Sequence, residues 1–284
     1  MITDENKIAI VTGTSSGIGL STAVLLAHSG FTVVATMRDL TKSGALEERA
    51  EATDTRLDIR MLDVQDEQSI DTCVRSVMET YGQVDVLVNN AGAGLLGSLE
   101  QTPFADLERA MDVNFYGVWR VTQAVFPIMR AAGSGRIVTL SSVGGLIGQP
   151  FNDAYCAAKF AVEGFMESLA PVAKRLGVHV SLIEPGPVNT EFVASVLRGV
   201  SESEPDVQAV YGPMIETYFS AMQQAFASNG QTGDDIAKVI LEAATTASPH
   251  LRYTTSRMIR GLISRKYVDP TGDSVIELTG ARLP

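Results

Sequence analysis

Tyr155 and Lys159 stand four positions apart in the segment AYCAAKF (154–160). On a helix that spacing sets a phenol and an ammonium on one face, a turn apart. A tyrosine titrates near ~10, too high for easy proton exchange at neutral pH, and a neighbouring ammonium lowers that value by favouring the phenolate. The pair is therefore expected to give a proton to an oxygen or to take one from it. By itself the spacing also reads as two neighbours on a surface helix. Context adds weight. The run RIVTLS (136–141) leads to Ser141 and Ser142, and Ser142 lies thirteen residues before Tyr155. Its hydroxyl is suited to hold the oxygen that the phenol serves, with Ser141 turned to the scaffold. Asn114, in MDVNFYG, falls inside a helical stretch, where Asn is a poor choice. It reads as a residue that holds a water beside Lys159 and passes protons.

A second feature calls for phosphate. The strand-like run KIAIVT (7–12) opens into TGTSSGIG (Thr12–Gly19), and a helical pattern begins at once. Gly13 allows a sharp turn off the strand, Gly17 allows backbone to approach a pyrophosphate, and Gly19 allows the helix to sit close to the sheet. The helix N-terminus, entered through Ser15, Ser16 and Ile18, offers free N–H groups and a partial positive charge. An acid that would hold the ribose 2′-hydroxyl of NAD is missing from the end of the second strand. Arg38 follows instead, then Asp39. A guanidinium there suits a 2′-phosphate, so NADP is favoured over NAD. The other reading, a solvated Arg38 with Asp39 on the ribose, stays open. NNAG (89–92) follows a further strand and reads as a structural turn or as part of the same crevice.

The elements that must position these groups are legible as alternation. Strands are expected at 7–12, 32–37, 57–62, 84–89, 136–141 and 178–184, with a last short one at 251–255. Most are apolar nearly throughout, as strands covered on both faces are. Helical patterns fill 17–29, 66–80 and 152–175, and Thr102-Pro103 reads as an N-cap and first helical residue opening one long helix to about 131. Further helices are expected at 213–228 and 234–247, the latter behind a Thr232/Asp235 capping box. Residues 199–213 read as a mobile loop or lid. The fold class is α/β: a Rossmann-type, doubly wound, mostly parallel sheet with helices on both faces. It forms a single domain over 1–284, with a substrate-loop and helical region at about 190–230 and a tail at about 256–284.

Composition removes other classes. Hydrophobic residues make up 45% of the 284, which excludes a disordered chain. The net charge of −11 argues against nucleic acid as partner. Cys73 and Cys156 lie far apart, and three scattered histidines leave little for a metal site or a serine triad, so no metal is expected. Cys156 reads as a small core residue. No signal peptide opens the chain and no apolar run is long enough to span a bilayer, so a cytoplasmic place is expected. The basic stretch Arg257, Arg260, Arg265 and Lys266, set among Met258, Ile259, Leu262 and Ile263, reads as a tail helix packed on the body or a partner subunit, or else as peripheral membrane contact.

Taken together, TGTSSGIG, Asp63-Val64, NNAG, Asn114, Ser142, YCAAK and PGPVNT (185–190) resemble the short-chain dehydrogenase/reductase family, in its order and spacing. ATMRDL, AGAGLLG, the run 142–164, VSLIEPGPV, LRYTTSR and VDPTGD are similar to the branch holding 17β-hydroxysteroid dehydrogenase type 1 and photoreceptor retinol dehydrogenase. The resemblance implies an NADP(H)-dependent oxidoreductase that interconverts a hydrophobic alcohol and its ketone or aldehyde, steroid-, retinoid- or lipid-like. It implies a catalytic tetrad of Asn114, Ser142, Tyr155 and Lys159, with Lys159 also on the nicotinamide ribose. Asp63 would meet the adenine amine and Val64 pack beside that ring. Asn90, Ala91 and Gly92 would line the ribose and nicotinamide side, and Pro185, Gly186, Val188 and Thr190 the carboxamide face. A homodimer or homotetramer through the helices at about 103–131 and 152–175 is expected on the same ground. One departure concerns substrate. The steroid enzyme has a His three residues after the position aligned with Tyr218, where this chain has Ala221, followed by Met222. Leu95, Leu96, Ser142, Val143, Tyr155, Phe192, Tyr218, Met222 and Phe226 are the expected pocket lining, although Met214, Phe219, Met222 and Phe226 also read as plain core. An NADP(H)-binding sensor without turnover, or a reductase of small polar carbonyls, are the alternatives.

Overall fold

The computed structural model describes residues 7–191, 205–269, 271 and 273–281. Seven strands form one sheet: β1 (Ile8–Thr12), β2 (Thr32–Met37), β3 (Leu57–Met61), β4 (Val86–Asn89), β5 (Gly135–Leu140), β6 (Val178–Glu184) and β7 (Arg252–Thr254). Their order is β3-β2-β1-β4-β5-β6-β7, and every pairing is parallel. The expected architecture is the observed one.

The apolar continuity of the strands has a direct cause. Side chains alternate between faces, and both faces are covered. Ile8, Ile10, Val34, Leu87, Ile137 and Leu182 point into one core. That core is closed by α3 (Glu67–Tyr81), α5 (Gly117–Ala132) and α6 (Asp153–Arg175). Their neighbours Ala9, Val11, Val33, Ala35, Val88, Val138 and Ile183 point into the other. There α1 (Gly17–His28) and α8 (Gly233–Thr245) cover the sheet, and the short α2 (Gly44–Ala52), absent from the sequence reading, contributes Leu46. The chain leaves β1 towards β2 and β3, then returns to build outward from β4. The carboxyl ends of β1 and β4 therefore flank the switch point where open sheets bind ligands.

Three expectations need correction. The helix expected from Pro103 to about 131 is interrupted. It runs as α4 (Phe104–Met111), a π-helical turn (Asp112–Tyr116) and α5. Asn114 sits in that turn, and its side-chain amide donates to the Ala110 carbonyl at 2.9 Å, competing with regular helical bonding there. Secondly, Thr102 is no cap. Its hydroxyl donates back to the Ser98 carbonyl at 2.8 Å, and Pro103 itself takes the N-cap position. Thirdly, 205–213 is not loop but the start of α7 (Pro205–Asn229). Proline is tolerated in a first helical turn. The helix docks through Tyr211, Ile215 and Tyr218 on Leu96 and Phe151, contacts invisible to a local reading. The remainder of that expected loop, 199–204, lies outside the described residues, as does Phe192.

The tail forms α9 (Arg257–Val268) and α10 (Asp273–Gly280). Ile259 and Ile263 of α9 are buried against Leu146 and Ile147, so the basic stretch packs on the body as one of its two readings held. Among the described residues no helix is long and apolar enough to cross a membrane. The Thr232/Asp235 capping box is present at the head of α8.

Leu182, fully buried in β6, is a measure of how tightly this double-faced core is filled. Leu182→Ala is expected to cost about 2–5 kcal/mol, read as a lower urea midpoint at unchanged m-value.

Candidate active site

The site begins where β1 ends. Gly13 turns the chain with φ +71°, and a Cβ there would stand 2.8 Å from Ala91 Cα. Gly19, in the first turn of α1, is tighter still: its Cβ would meet the Gly13 carbonyl oxygen at 2.2 Å and Asn90 Nδ2 at 2.3 Å. Asn90 locks this arrangement. Its amide donates to the carbonyls of Thr12 (2.9 Å) and Gly13 (3.0 Å). Thr12 Oγ1 in turn accepts the N–H groups of Asn90 and Ala91 at 3.0 and 3.1 Å. Asn89 is a structural residue, its buried amide spent on Thr122 and Thr139. NNAG is thus both of the things it was read as, a turn and a crevice wall.

The loop is built to receive an anion. Ser16 is the N-cap of α1 but makes no side-chain capping bond, and the first turn carries no acid. Thr190 closes the far side, since a Gly17 Cβ would lie 3.2 Å from Thr190 Cβ. Residues 187–189 are pinned in place by Gln231, which exchanges backbone bonds with Pro187 and Asn189 at 2.9 and 2.8 Å. Arg38 is exposed at the end of β2. Asp39 is already engaged. Its carboxylate accepts the N–H and hydroxyl of Thr41, which holds it below the ordinary Asp range. Asp63 likewise accepts from Gln65 N at 3.0 Å, and Val64 is buried against Gly117 of α5.

Across the crevice, Ser142, Tyr155, Lys159 and Asn114 come together. Tyr155 lies in the first turn of α6, and Ser142, just past β5, hydrogen-bonds to its phenol. Ser142 is held there because its Oγ accepts the Gly144 N–H at 3.0 Å. Lys159 Nζ donates to the Leu140 carbonyl at 2.8 Å and lies 5.9 Å from the centre of the Tyr155 ring. The Asn114 amide brackets Ala93, accepting its N–H at 3.1 Å and donating to its carbonyl at 2.8 Å. Asn114 Oδ1 and Lys159 Nζ stand 2.9 and 3.9 Å from where a Gly92 Cβ would be. The absence of a side chain at Gly92 is what leaves that space. Ser141 is buried, as expected of the residue turned inward.

The electrostatics differ from the sequence reading at one point. Lys159 was expected to lower the phenol. Burial instead pushes Tyr155 up to about 12, against the Ser142 hydrogen bond. Burial also lowers Lys159 to about 8, partly opposed by Glu163. The ammonium donates to the Leu140 carbonyl, and desolvation is the largest influence on both groups. Burial likewise lifts the Cys156 thiol to about 11, which fits a core residue and not a nucleophile.

The expected pocket residues divide between two clusters. Leu96, Phe151, Ile215 and Tyr218 form one, with Met214, Phe219 and Met222 against it. Tyr218 is only 4% exposed and accepts a hydrogen bond from Asn152 Nδ2 at 3.1 Å. It is therefore mostly core. Val143 joins the other cluster, with Leu146, Ile147, Ile259 and Ile263. Leu95 and Phe226 are part-exposed. Gly186 is small because Ile259 needs the room, its absent Cβ falling 2.5 Å from Ile259 Cδ1. Sequence reasoning missed Thr12, Glu163, Glu184 and Arg252. The last three lie far apart along the chain and carry no local motif.

Residues 7–200 match the short chain dehydrogenase family. The chain belongs to that family. It is 43% identical over 278 residues to bovine retinol dehydrogenase 8, covering 95% of this chain and 88% of that one. It is 42% identical over 277 residues to human 17-beta-hydroxysteroid dehydrogenase type 1, covering 95% and 83%. Among solved structures, a metagenomic short-chain oxidoreductase in complex with NADP aligns with a TM-score of 0.68 at 29% identity, over 87% of this chain and 96% of that one. One from Burkholderia phymatum in complex with NAD aligns with a TM-score of 0.80 at 26% identity, over 95% of both. This short-chain dehydrogenase is thus an oxidoreductase related to retinol and hydroxysteroid dehydrogenases.

Gly19→Ala places a methyl group against backbone that cannot yield cheaply. A loss of about 1–3 kcal/mol is expected from the overpacking, measured by urea unfolding.

Proposed function

We propose that the protein interconverts a hydrophobic alcohol and its ketone or aldehyde, with NADP(H) as redox partner. The observation that carries this is the convergence of Ser142, Tyr155, Lys159 and Asn114 on the crevice that the glycine loop opens. A nicotinamide ring, when bound, supplies or accepts the hydride at the carbinol carbon. The loop's uncapped N–H groups at Ser15–Gly19 suit the pyrophosphate, and Asn90, Ala91, Gly92, Pro185, Gly186, Val188 and Thr190 form the facing wall. Arg38 suits a 2′-phosphate, and the engagement of Asp39 by Thr41 favours that reading over a ribose contact. The relatives known as retinol and hydroxysteroid dehydrogenases support a bulky apolar substrate, as does the apolar cluster around Leu96, Tyr218 and Met222.

The residues have separate tasks. Ser142 holds the substrate oxygen beside the phenol. Tyr155, kept protonated by its burial, gives its proton to a carbonyl oxygen as alkoxide charge develops, and in the reverse direction its phenolate takes one from an alcohol. Lys159 keeps a positive charge behind that exchange and stabilises the phenolate as it forms. Asn114 fixes the Gly92–Ala93 turn and carries the relay towards Lys159. A homodimer or homotetramer belongs to the same proposal. Phe104, Tyr116, Trp119, Phe160 and Val172 are exposed apolar side chains between α4 and α6, and Trp119 stacks on Phe165 at 4.4 Å. A cytoplasmic place is likewise proposed.

Tyr155→Phe is expected to keep NADPH affinity and to lose at least about 10²-fold in turnover, measured with a panel of steroid, retinoid and medium-chain ketones. Turnover near wild type removes the phenol from the chemistry. Arg38→Ala is expected to raise KM for NADPH about tenfold or more and to leave KM for NADH unchanged, as loss of a charge-assisted phosphate contact requires. Equal effects on the two would overturn the assignment of Arg38.

A further inference from the structure

Behind Lys159 lies a group of charges that the proposed chemistry does not use. Glu163 is one turn along α6 from Lys159, and Glu184 closes β6 immediately before Pro185 and Gly186. Their residues are 4% and 0% exposed. Arg252, the first residue of β7, reaches both: its Nε lies 3.2 Å from Glu163 Oε2 and 3.2 Å from Glu184 Oε1. Its far nitrogen is taken by the exposed Glu167 at 2.6 Å. Three carboxylates thus share one guanidinium. Neither oxygen of Glu184 accepts a hydrogen bond among the described residues.

Among the described residues, the polar and charged groups that face the pair come from four elements. From α6 come Lys159 and Glu167, and from β7 Arg252. From α9 come Lys266, held over the Phe160 ring at 4.1 Å, and Tyr267. The end of β5 brings Ser141, whose Oγ, like Glu163 Cγ, crowds the place of a Gly145 Cβ. Two like charges this close and this dry do not both ionise cheaply, and one guanidinium cannot satisfy both.

We propose that Glu163 and Glu184 share one proton at neutral pH, bridged by Arg252, and that this pair is a positioning device for the Tyr155–Lys159 couple, setting the charge that faces Lys159. The proton resides on Glu184, which burial and the neighbouring Glu163 push up to about 7. Glu163 is also raised by burial, but a hydrogen bond from Ser141 and the charge of Arg252 draw it back towards ionisation. Ionised Glu163 then faces Lys159 and helps it stay charged against its own burial. Its part in turnover rests on the proposed role of Lys159. The shared proton itself does not.

The sign of the linkage follows. A carboxyl whose pKa is raised on folding binds its proton more tightly in the native state. It therefore stabilises the fold at low pH, and that stability is lost as pH rises from the ordinary Glu range of about 4.5 to about 7.

Infrared difference spectra of the intact protein across neutral pH test the pair without any turnover. Expected is the carbonyl band of a buried carboxylic acid that vanishes with a midpoint near pH 7. Glu184→Gln should abolish it, and Glu163→Gln should move its midpoint lower, since the like charge is gone. Should one variant not fold, the other assigns the band. No such band in the wild type, or one that neither variant alters, overturns the proposal. Glu184→Gln should also remove the decline of melting temperature between about pH 5 and 8; an unaltered decline counts against it. For the link to Lys159, the alkaline limb of kcat/KM should shift to lower pH in Glu163→Gln and stay in place in Glu184→Gln. An unmoved limb in Glu163→Gln overturns that link. Inactivity of the wild type in every carbonyl assay, with the infrared result intact, would instead indict the proposed function.

Discussion

The side-chain amide of Asn90 bonds two successive carbonyls, those of Thr12 and Gly13, and so fastens the end of β1 to the end of β4. Everything at the crevice takes its position from that clamp. It lets Gly19 approach the Gly13 carbonyl closely enough for α1 to present its first turn to the opening. It also places Gly92 directly after it, where a bare Cα leaves space in front of Asn114 and Lys159. A parallel sheet brings the carboxyl ends of all seven strands to one edge by topology alone. The clamp turns that general property into a particular geometry.

The other constraint is dryness. Lys159 is 4% exposed and reaches one carbonyl. A charge in such a place survives through compensation, and here the compensation is layered. The Leu140 carbonyl accepts a hydrogen bond directly, Glu163 supplies opposite charge one turn away, and Arg252 steadies Glu163 in its turn. At the phenol burial outweighs the Ser142 hydrogen bond, and the group is held in its neutral form. The site thus holds its positive charge and its proton on separate groups, an arrangement suited to an oxygen that gains and loses charge between them.

Much of this was legible in the chain. The strands could be read because burial on both faces leaves an unbroken apolar run, and TVVATM and VHVSLIE come out at their observed limits. Ser142, Tyr155 and Lys159 could be read because they sit at a strand end or at fixed helical spacing, and Asn114 because Asn is a poor choice inside a helix. What escaped is instructive. The π turn at Asn114 depends on one side chain capturing a carbonyl, and nothing in periodicity signals that. The first turns of α7 look like loop because Pro205, Gly212 and Pro213 obscure a helix whose apolar face is defined by Leu96 and Phe151, both far earlier in the chain. The Tyr155 shift was read with the wrong sign because spacing reveals a neighbour but not the loss of water. Glu163, Glu184 and Arg252 each look unremarkable until β6 and β7 pair and α6 lies across them.

Gly186 has a bare Cα against which Ile259 is seated, and Ile263 completes the contact on Leu146 and Ile147. α9 is therefore a structural wall of the crevice and not an appendage to it. Its inner side touches the turn between β6 and the helices beyond, while its outer side carries the basic residues. Alterations at the chain terminus can accordingly reshape the chamber from behind, without disturbing the glycine loop or the tetrad.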